Sequence, residues 1–439
     1  MQSRTERYAQ ILSTLIQKET ISVCGQKEMH KFYQFQNLLK ETFPTLFFTA
    51  EKEDFNGSFA LRVKGSGERE PILLMNHLDV VEATGDWKYP PFSGTIAEGK
   101  VWGRGTLDTK GGLFAMMQAV EELLAEGYAF DRDIYFVSTC TEEVGGEGGE
   151  VISKKFEERG LHFSMVLDEG GMVVRDPIAG AHGEFAMIGV GEKGYADLKF
   201  VAHSFGGHAS TPPKNSPLVR LGKFMAAVEK KNLFRAYMSP MICEMFTRIS
   251  KSMTGGMRFV LGNAKRLKPL LVKIIPNVSE AANAMLKTTL AFTMAGGSDG
   301  TNVLPQEAWV VGNMRFSHHQ GRDESIKVIT DFAKKFGVET QVMELGFESP
   351  LSPYDSDAFR LIEKAIAKVY PNVKTTPYVM TGASDCRFMG RLSENCLRFT
   401  PFAIDDKQLS SIHGVDENVG VDCLVPAVDF YKYILTEKE

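Results

Sequence analysis

Residues 71–79 read Pro-Ile-Leu-Leu-Met-Asn-His-Leu-Asp. Four consecutive apolar residues without polar alternation are what a strand buried on both faces requires. The run ends at once in His77 and Asp79, and the pattern recurs. Residues 134–137 form a second apolar run, followed by Ser-Thr-Cys-Thr and the acids Glu142 and Glu143. Residues 165–167 form a third, closed by Asp168-Glu169-Gly-Gly, and an amphipathic helical stretch at 112–126 separates the first two. Short buried strands alternating with helices predict an α/β fold, a mostly parallel sheet with helices on both faces. Ligands of such sheets collect at the carboxyl ends of the strands, where each run here places its charged residues.

Outward from this frame, residues 4–22 read as an N-terminal helix and 356–370 as another near the C-terminus. The middle differs. Residues 194–201 alternate as a half-buried strand and 217–230 follow as a helix; 310–316 and 322–336 repeat the strand–helix order. A strand–helix unit that occurs twice predicts a small α+β domain spliced into the larger one. Residues 232–290, rich in Met, Lys and small residues, carry no assignable pattern.

A chain of 439 residues suits two domains. Its net charge of −5 argues against nucleic acid as the main partner. No apolar run approaches the roughly 18 residues a membrane span needs. The N-terminus carries charges where a signal peptide would be apolar. The six cysteines are scattered without a Cys-x-x-Cys pair, as reduced structural thiols would be. These features predict a cytoplasmic protein with no membrane partner.

The charged strand ends, Asp108 in Gly103-Arg-Gly-Thr-Leu-Asp-Thr-Lys-Gly-Gly, and His413 in Ser411-Ile-His-Gly-Val-Asp-Glu would converge on one rim. Clustered carboxylates repel unless cations neutralise them. A mixed histidine–carboxylate set suits zinc, with cobalt or manganese as substitutes. On an extended segment His77 and Asp79 share a face, so Asp79 can fix the imidazole tautomer. Glu142 and Glu143 diverge on a strand end, leaving one acid for metal and the other as a general base. Any one of these segments alone would suit an ordinary structural role; their company points to chemistry. Gly103-x-Gly105 is not a dinucleotide fingerprint, because its sixth position is Asp108 and an acid there repels a pyrophosphate.

In order, the chain resembles the M20 metallopeptidases, the group of carboxypeptidase S, Gly-X carboxypeptidase, aminoacylase and succinyl-diaminopimelate desuccinylase. The matching segments are Asn76-His-Leu-Asp79, Gly103 to Gly112, Thr141-Glu-Glu143, Leu167-Asp-Glu169, Gly207-His208, Thr301-Asn302, Asn313-Met-Arg315, Gly382-Ala-Ser-Asp385 and Ile412-His413-Gly. The resemblance implies a zinc-exopeptidase catalytic domain over 1–188 and 347–439, with a lid and dimerisation domain inserted at 189–346. It implies two zinc ions bridged by Asp108, with His77 and Asp168 completing one site and Glu143 and His413 the other. Asp79 would orient His77, Glu142 would be the general base, and the Asp108-Thr109 peptide would be cis. His208 would polarise the scissile carbonyl, while Asn302, Arg315 and Gly382 would contact substrate. Glu169 stands beside Asp168 as the alternative ligand, and residues 232–300 enlarge the lid.

The implied reaction is hydrolysis of the amide bond of a C-terminal amino acid, in small peptides or N-acyl amino acids, by a zinc-activated water. One rival is a dipeptidase requiring a free N-terminus. A rival of another class is an inactive metal-binding scaffold, which would lack a ligand or the base; none is missing here. A homodimer through the lid is a further implication.

Overall fold

The computed structural model describes residues 3–277 and 280–437. Ten strands form the large sheet. Its order is Glu51–Phe55, Ser58–Val63, Ile134–Thr139, Ile72–His77, Met165–Asp168, Cys396–Arg398, Glu184–Glu192, Val173–Arg175, Ala403–Ile404, with Lys374–Met380 paired to Glu184–Glu192. The three strands read first from sequence are neighbours and run parallel, so their charged ends share one edge.

Both faces of these strands are covered, which is why their apolar runs are unbroken. Ile72, Leu74, Ile134 and Phe136 pack with helices Lys110–Ala125 and Leu424–Thr436. Leu73, Met75, Tyr135 and Val137 pack on the other side against Ile152 and Phe156 of helix Glu147–Glu158 and against Met389. Gly112 lets the first turn of Lys110–Ala125 sit against the end of strand Ile72–His77: a Cβ there would lie 2.7 Å from Asn76 Oδ1.

The N-terminal helix is shorter than its periodicity predicts. A capping box of Ser3 and Glu6 starts it, and it runs Arg4–Ile16. Beyond it, backbone bonds join Thr20 and Ser22 to Val80, so extended pairing replaces helix and brings Ser22 beside Asp79. The helix read at 217–230 is Pro217–Lys230.

The inserted domain holds a four-stranded antiparallel sheet ordered Thr289–Gly296, Glu307–Arg315, Tyr195–His203, Glu339–Leu345. Helices Pro217–Lys230 and Gly321–Ala333 cover one of its faces through Leu198, Phe200, Phe224, Met314 and Phe332. The stretch unreadable from sequence forms helices Pro240–Ser250, Gly255–Gly262, Ala264–Ile274 and Glu280–Leu286. These leave the small sheet. Their buried residues Met241, Met245, Ile249 and Leu271 join the core of the large unit, and Arg248 bonds Glu363 of helix Asp357–Val369 at 2.6 Å. Among the described residues, no helix is long and apolar enough to cross a membrane.

Candidate metal centre and active site

His77 closes its strand and is buried. Its Nε2 lies 2.9 Å from Asp108 Oδ1, and its Nδ1 lies 2.9 Å from the backbone carbonyl of Asp79 and 3.4 Å from Asp79 Oδ1. Asp108 approaches on the loop between Trp102 and Lys110, and the Asp108-Thr109 peptide is cis, as the sequence resemblance implied. The other oxygen of Asp108 lies 3.0 Å from His413 Nε2, which lies 3.1 Å from Glu143 Oε2. One ligand atom each from His77, Asp108 and Glu143 fall within 4.8 Å of one another. Glu143 Oε1 is buried without a hydrogen-bond partner. Two imidazoles and two carboxylates, one with an orphaned oxygen, are a donor set that fits divalent cations.

Charge balance in this cluster rests on the imidazoles. Burial opposes ionisation of Asp108, but bonds from His413 and His77 outweigh it and hold its carboxyl well below the usual range. Asp108 and Glu143 push His413 up to about 10. Burial disfavours a charged ring at His77, yet its bonds to Asp108 and Asp79 carry its pKa well above ordinary. Burial also raises Glu143, and drives Glu142 well above the usual carboxylate range. Arg387 Nη1 stands 3.5 Å from Glu142 Oε1.

Glu142 and Glu143 do not sit on an extended strand end, as the sequence suggests, but in the 3-10 turn Glu142–Val144. The cause is Asp79. Its carboxylate accepts the backbone N–H of Glu142 at 3.3 Å and of Glu143 at 3.1 Å, and the Ser22 hydroxyl at 2.7 Å. Asp79 therefore positions the acid pair as well as facing His77.

Three supports were not assigned roles from sequence. Glu417 is fully buried and accepts from the backbone N–H of Gly105, Leu107 and Asp108 and from Arg104 at 2.7 Å, fixing the loop that presents Asp108. Asp385 accepts from the Thr139 hydroxyl at 2.5 Å, and burial pushes it up to about 7. Arg387 donates to the carbonyls of Ser384 and Gly145, tying its own turn to the glycines behind the acid pair. Asp385 lay inside a matched segment, while Glu417 and Arg387 lay just beyond theirs.

Asp168 and Glu169 differ sharply. Both oxygens of Asp168 accept backbone N–H groups at 2.8 Å, from Glu169 and Cys386. The carboxylate of Glu169 takes no hydrogen bond among the described residues. Burial and the fields of Asp108 and Asp168 raise its pKa well above ordinary.

Among the described residues, none of the expected substrate contacts His208, Asn302, Arg315 and Gly382 hydrogen-bonds or ion-pairs with this cluster. His208 is exposed on the two-residue ribbon Gly207–His208, paired with Val303–Leu304, and its Nδ1 bonds Ser210 at 2.7 Å. Asn302 is exposed beside it, its carbonyl accepting from Ala209. Arg315 ends strand Glu307–Arg315, bonds Asn313 at 3.0 Å and lies 5.1 Å over the Tyr195 ring. Gly382 is exposed in the loop before Ser384.

A parallel α/β sheet with this donor cluster at its carboxyl edge, and an inserted α+β domain, defines a metal-dependent hydrolase of the exopeptidase type. The chain belongs to peptidase family M20/M25/M40, whose model matches residues 73–437. It is 30% identical to a probable carboxypeptidase S-like 2 of Dictyostelium discoideum, over 93% of this chain and 80% of that protein. It is also 30% identical to an N-fatty-acyl-amino acid synthase/hydrolase of Bos taurus, over 98% of this chain and 87% of that one. Among solved structures, the M20 family metallo-carboxypeptidase Sso-CP2 of Sulfolobus solfataricus has a similar fold. Its TM-score is 0.68 at 20% identity, with 98% of each chain covered.

Proposed function

We propose that the protein hydrolyses the amide bond between an acyl group and a C-terminal amino acid, in N-acyl amino acids or small peptides, with two zinc ions. The observation that carries this reading is the geometry around Glu142: a half-buried acid of raised pKa beside the His77–Asp108–Glu143–His413 cluster. Asp108 would bridge the two ions; Glu143 and His413 would hold one, and His77 with a third acid the other. For that third acid we favour Glu169 over Asp168, whose two oxygens already serve backbone N–H groups. When bound, the metals supply a Lewis acid for the carbonyl and lower the pKa of a coordinated water towards neutrality.

Glu142 would take the proton of the attacking water and pass it to the leaving amine, and its raised pKa suits both transfers. Arg387 would keep enough charge at Glu142 for it to act as a base. His208 would polarise the carbonyl, and Arg315 with Asn302 would hold the free carboxylate, a task suited to a guanidinium fork. Gly382 would line the pocket. Residues 189–346 would form the lid on a catalytic domain of 1–188 and 347–439. Dimerisation would use its edge strand Glu339–Leu345, where Val342, Met343 and Leu345 are exposed. Six free cysteines, five of them buried, support a reducing, cytoplasmic setting.

The test is amino-acid release, with zinc supplied, from a free dipeptide, its N-blocked form, an N-acetyl and an N-fatty-acyl amino acid. Preference for the blocked and acylated members is expected. Preference for the free dipeptide would overturn the N-acyl reading in favour of a dipeptidase, and turnover of none would favour the inactive scaffold.

A further inference from the structure

From residue 249 to 279 the sequence holds six basic residues and no acid, in a chain whose net charge is −5. This segment spans helices Gly255–Gly262 and Ala264–Ile274. Two of its cations have local partners: Lys265 faces Glu244 at 3.5 Å, and Lys268 sits 3.9 Å over the Tyr237 ring. Among the described residues, no acid pairs with Lys251, Arg258, Arg266 or Lys273.

The apolar residues of the same helices divide into two faces. Leu261, Ala264, Leu271 and Ile275 are buried against the large unit. Phe259, Leu270 and Ile274 point the other way, with 69%, 52% and 47% of their surface exposed. Along Ala264–Ile274 the outward stripe is Arg266, Leu270, Lys273 and Ile274, spaced as one helical face. The outward stripe of a helix on a globular protein is ordinarily polar throughout. One exposed apolar side chain would mean little, but three on adjacent helices, set among unpaired cations and free of acids, have the composition of an interfacial helix.

We propose that helices Gly255–Gly262 and Ala264–Ile274 form a docking surface for the headgroup layer of an anionic phospholipid bilayer. Phe259, Leu270 and Ile274 enter the interface, while Arg258, Arg266 and Lys273 meet the anionic headgroups and can extend their charges to them over the apolar stems. The charge selects an anionic partner, and the apolar tips select a bilayer over a nucleic acid, whose phosphates give Phe259 and Leu270 nothing to enter. The protein would lie on the membrane and not span it.

The experiment is co-sedimentation of the full chain with vesicles of phosphatidylcholine alone or mixed with phosphatidylserine, at low and high salt. Each basic residue near an anionic surface contributes about fivefold in binding. Expected is binding to the mixed vesicles at least about tenfold stronger than to neutral ones, weakened by salt. R258E/R266E/K273E should bind at least about a hundredfold less, and F259S/L270S/I274S at least about tenfold less, both with wild-type turnover of a soluble N-acetyl amino acid. Absent or lipid-indifferent binding by the unaltered protein would overturn the proposal without any variant. So would charge variants that bind like wild type, or a wild-type dimer in sedimentation velocity that these substitutions dissociate. Binding to a single-stranded oligonucleotide that equals vesicle binding and ignores F259S/L270S/I274S would assign the surface to nucleic acid instead.

Discussion

The carboxyl edge of the large sheet and the ribbon carrying His208 were both marked by motif, yet they differ in how they are held. At the sheet edge, His77, Asp108 and Glu143 are locked by the buried groups Ser22, Asp79 and Glu417. On the ribbon, His208 and Asn302 are exposed, and the nearest support of the imidazole is Ser210, two residues away. A constellation fixed by packing is ready before substrate arrives. For one built on an exposed ribbon to act, the inserted domain, or a second copy of it, would have to reach the edge.

Breaking the rigid half should have the largest effect. Glu142→Gln should lower kcat by at least about 10²-fold while zinc content, read by elemental analysis, stays at the wild-type value; normal turnover would remove Glu142 from the base role. His208→Ala tests the mobile half. If the ribbon closes on the edge, kcat should fall about 10²-fold with metal content and melting temperature unchanged. Unaltered kcat would leave the ribbon without a catalytic part.

Smaller effects sharpen the edge itself. Glu169→Gln should weaken zinc affinity by about 10- to 100-fold, and more than Asp168→Asn does; the reverse order in a competitive chelator titration would restore Asp168 as the ligand. Zinc uptake at neutral pH should also release protons, since His413, with a pKa of about 10, and His77 must be neutral to bind metal. Apparent affinity should therefore rise with pH until His413 loses its proton. Calorimetry in buffers of different ionisation enthalpy reads the release directly, and a buffer-independent heat would contradict it.

The parts legible in sequence are those where one local cause dominates. Strands buried on both faces show as unbroken apolar runs, and Pro217–Lys230 shows because its proline start and apolar spacing agree with its packing. Residues 232–290 were illegible for a physical reason: Leu270 and Ile274 face outward among lysines, so the apolar spacing of that helix does not mark its buried side. The turn at Glu142 was misread because the groups that cap it come from Asp79, 63 and 64 residues earlier. The motif put Asp168 first and Glu169 second as the ligand, and only their hydrogen bonds tell these adjacent acids apart physically.

Glu417 secures the loop of Asp108 across 309 residues of sequence. During synthesis the segments that carry His77, Glu142 and Glu143 emerge long before the acid that sets Asp108 in place. A nascent chain, or one cut short before Glu417, can thus hold most of the large sheet and still be inert. Activity therefore waits until translation has passed the last of these fastenings.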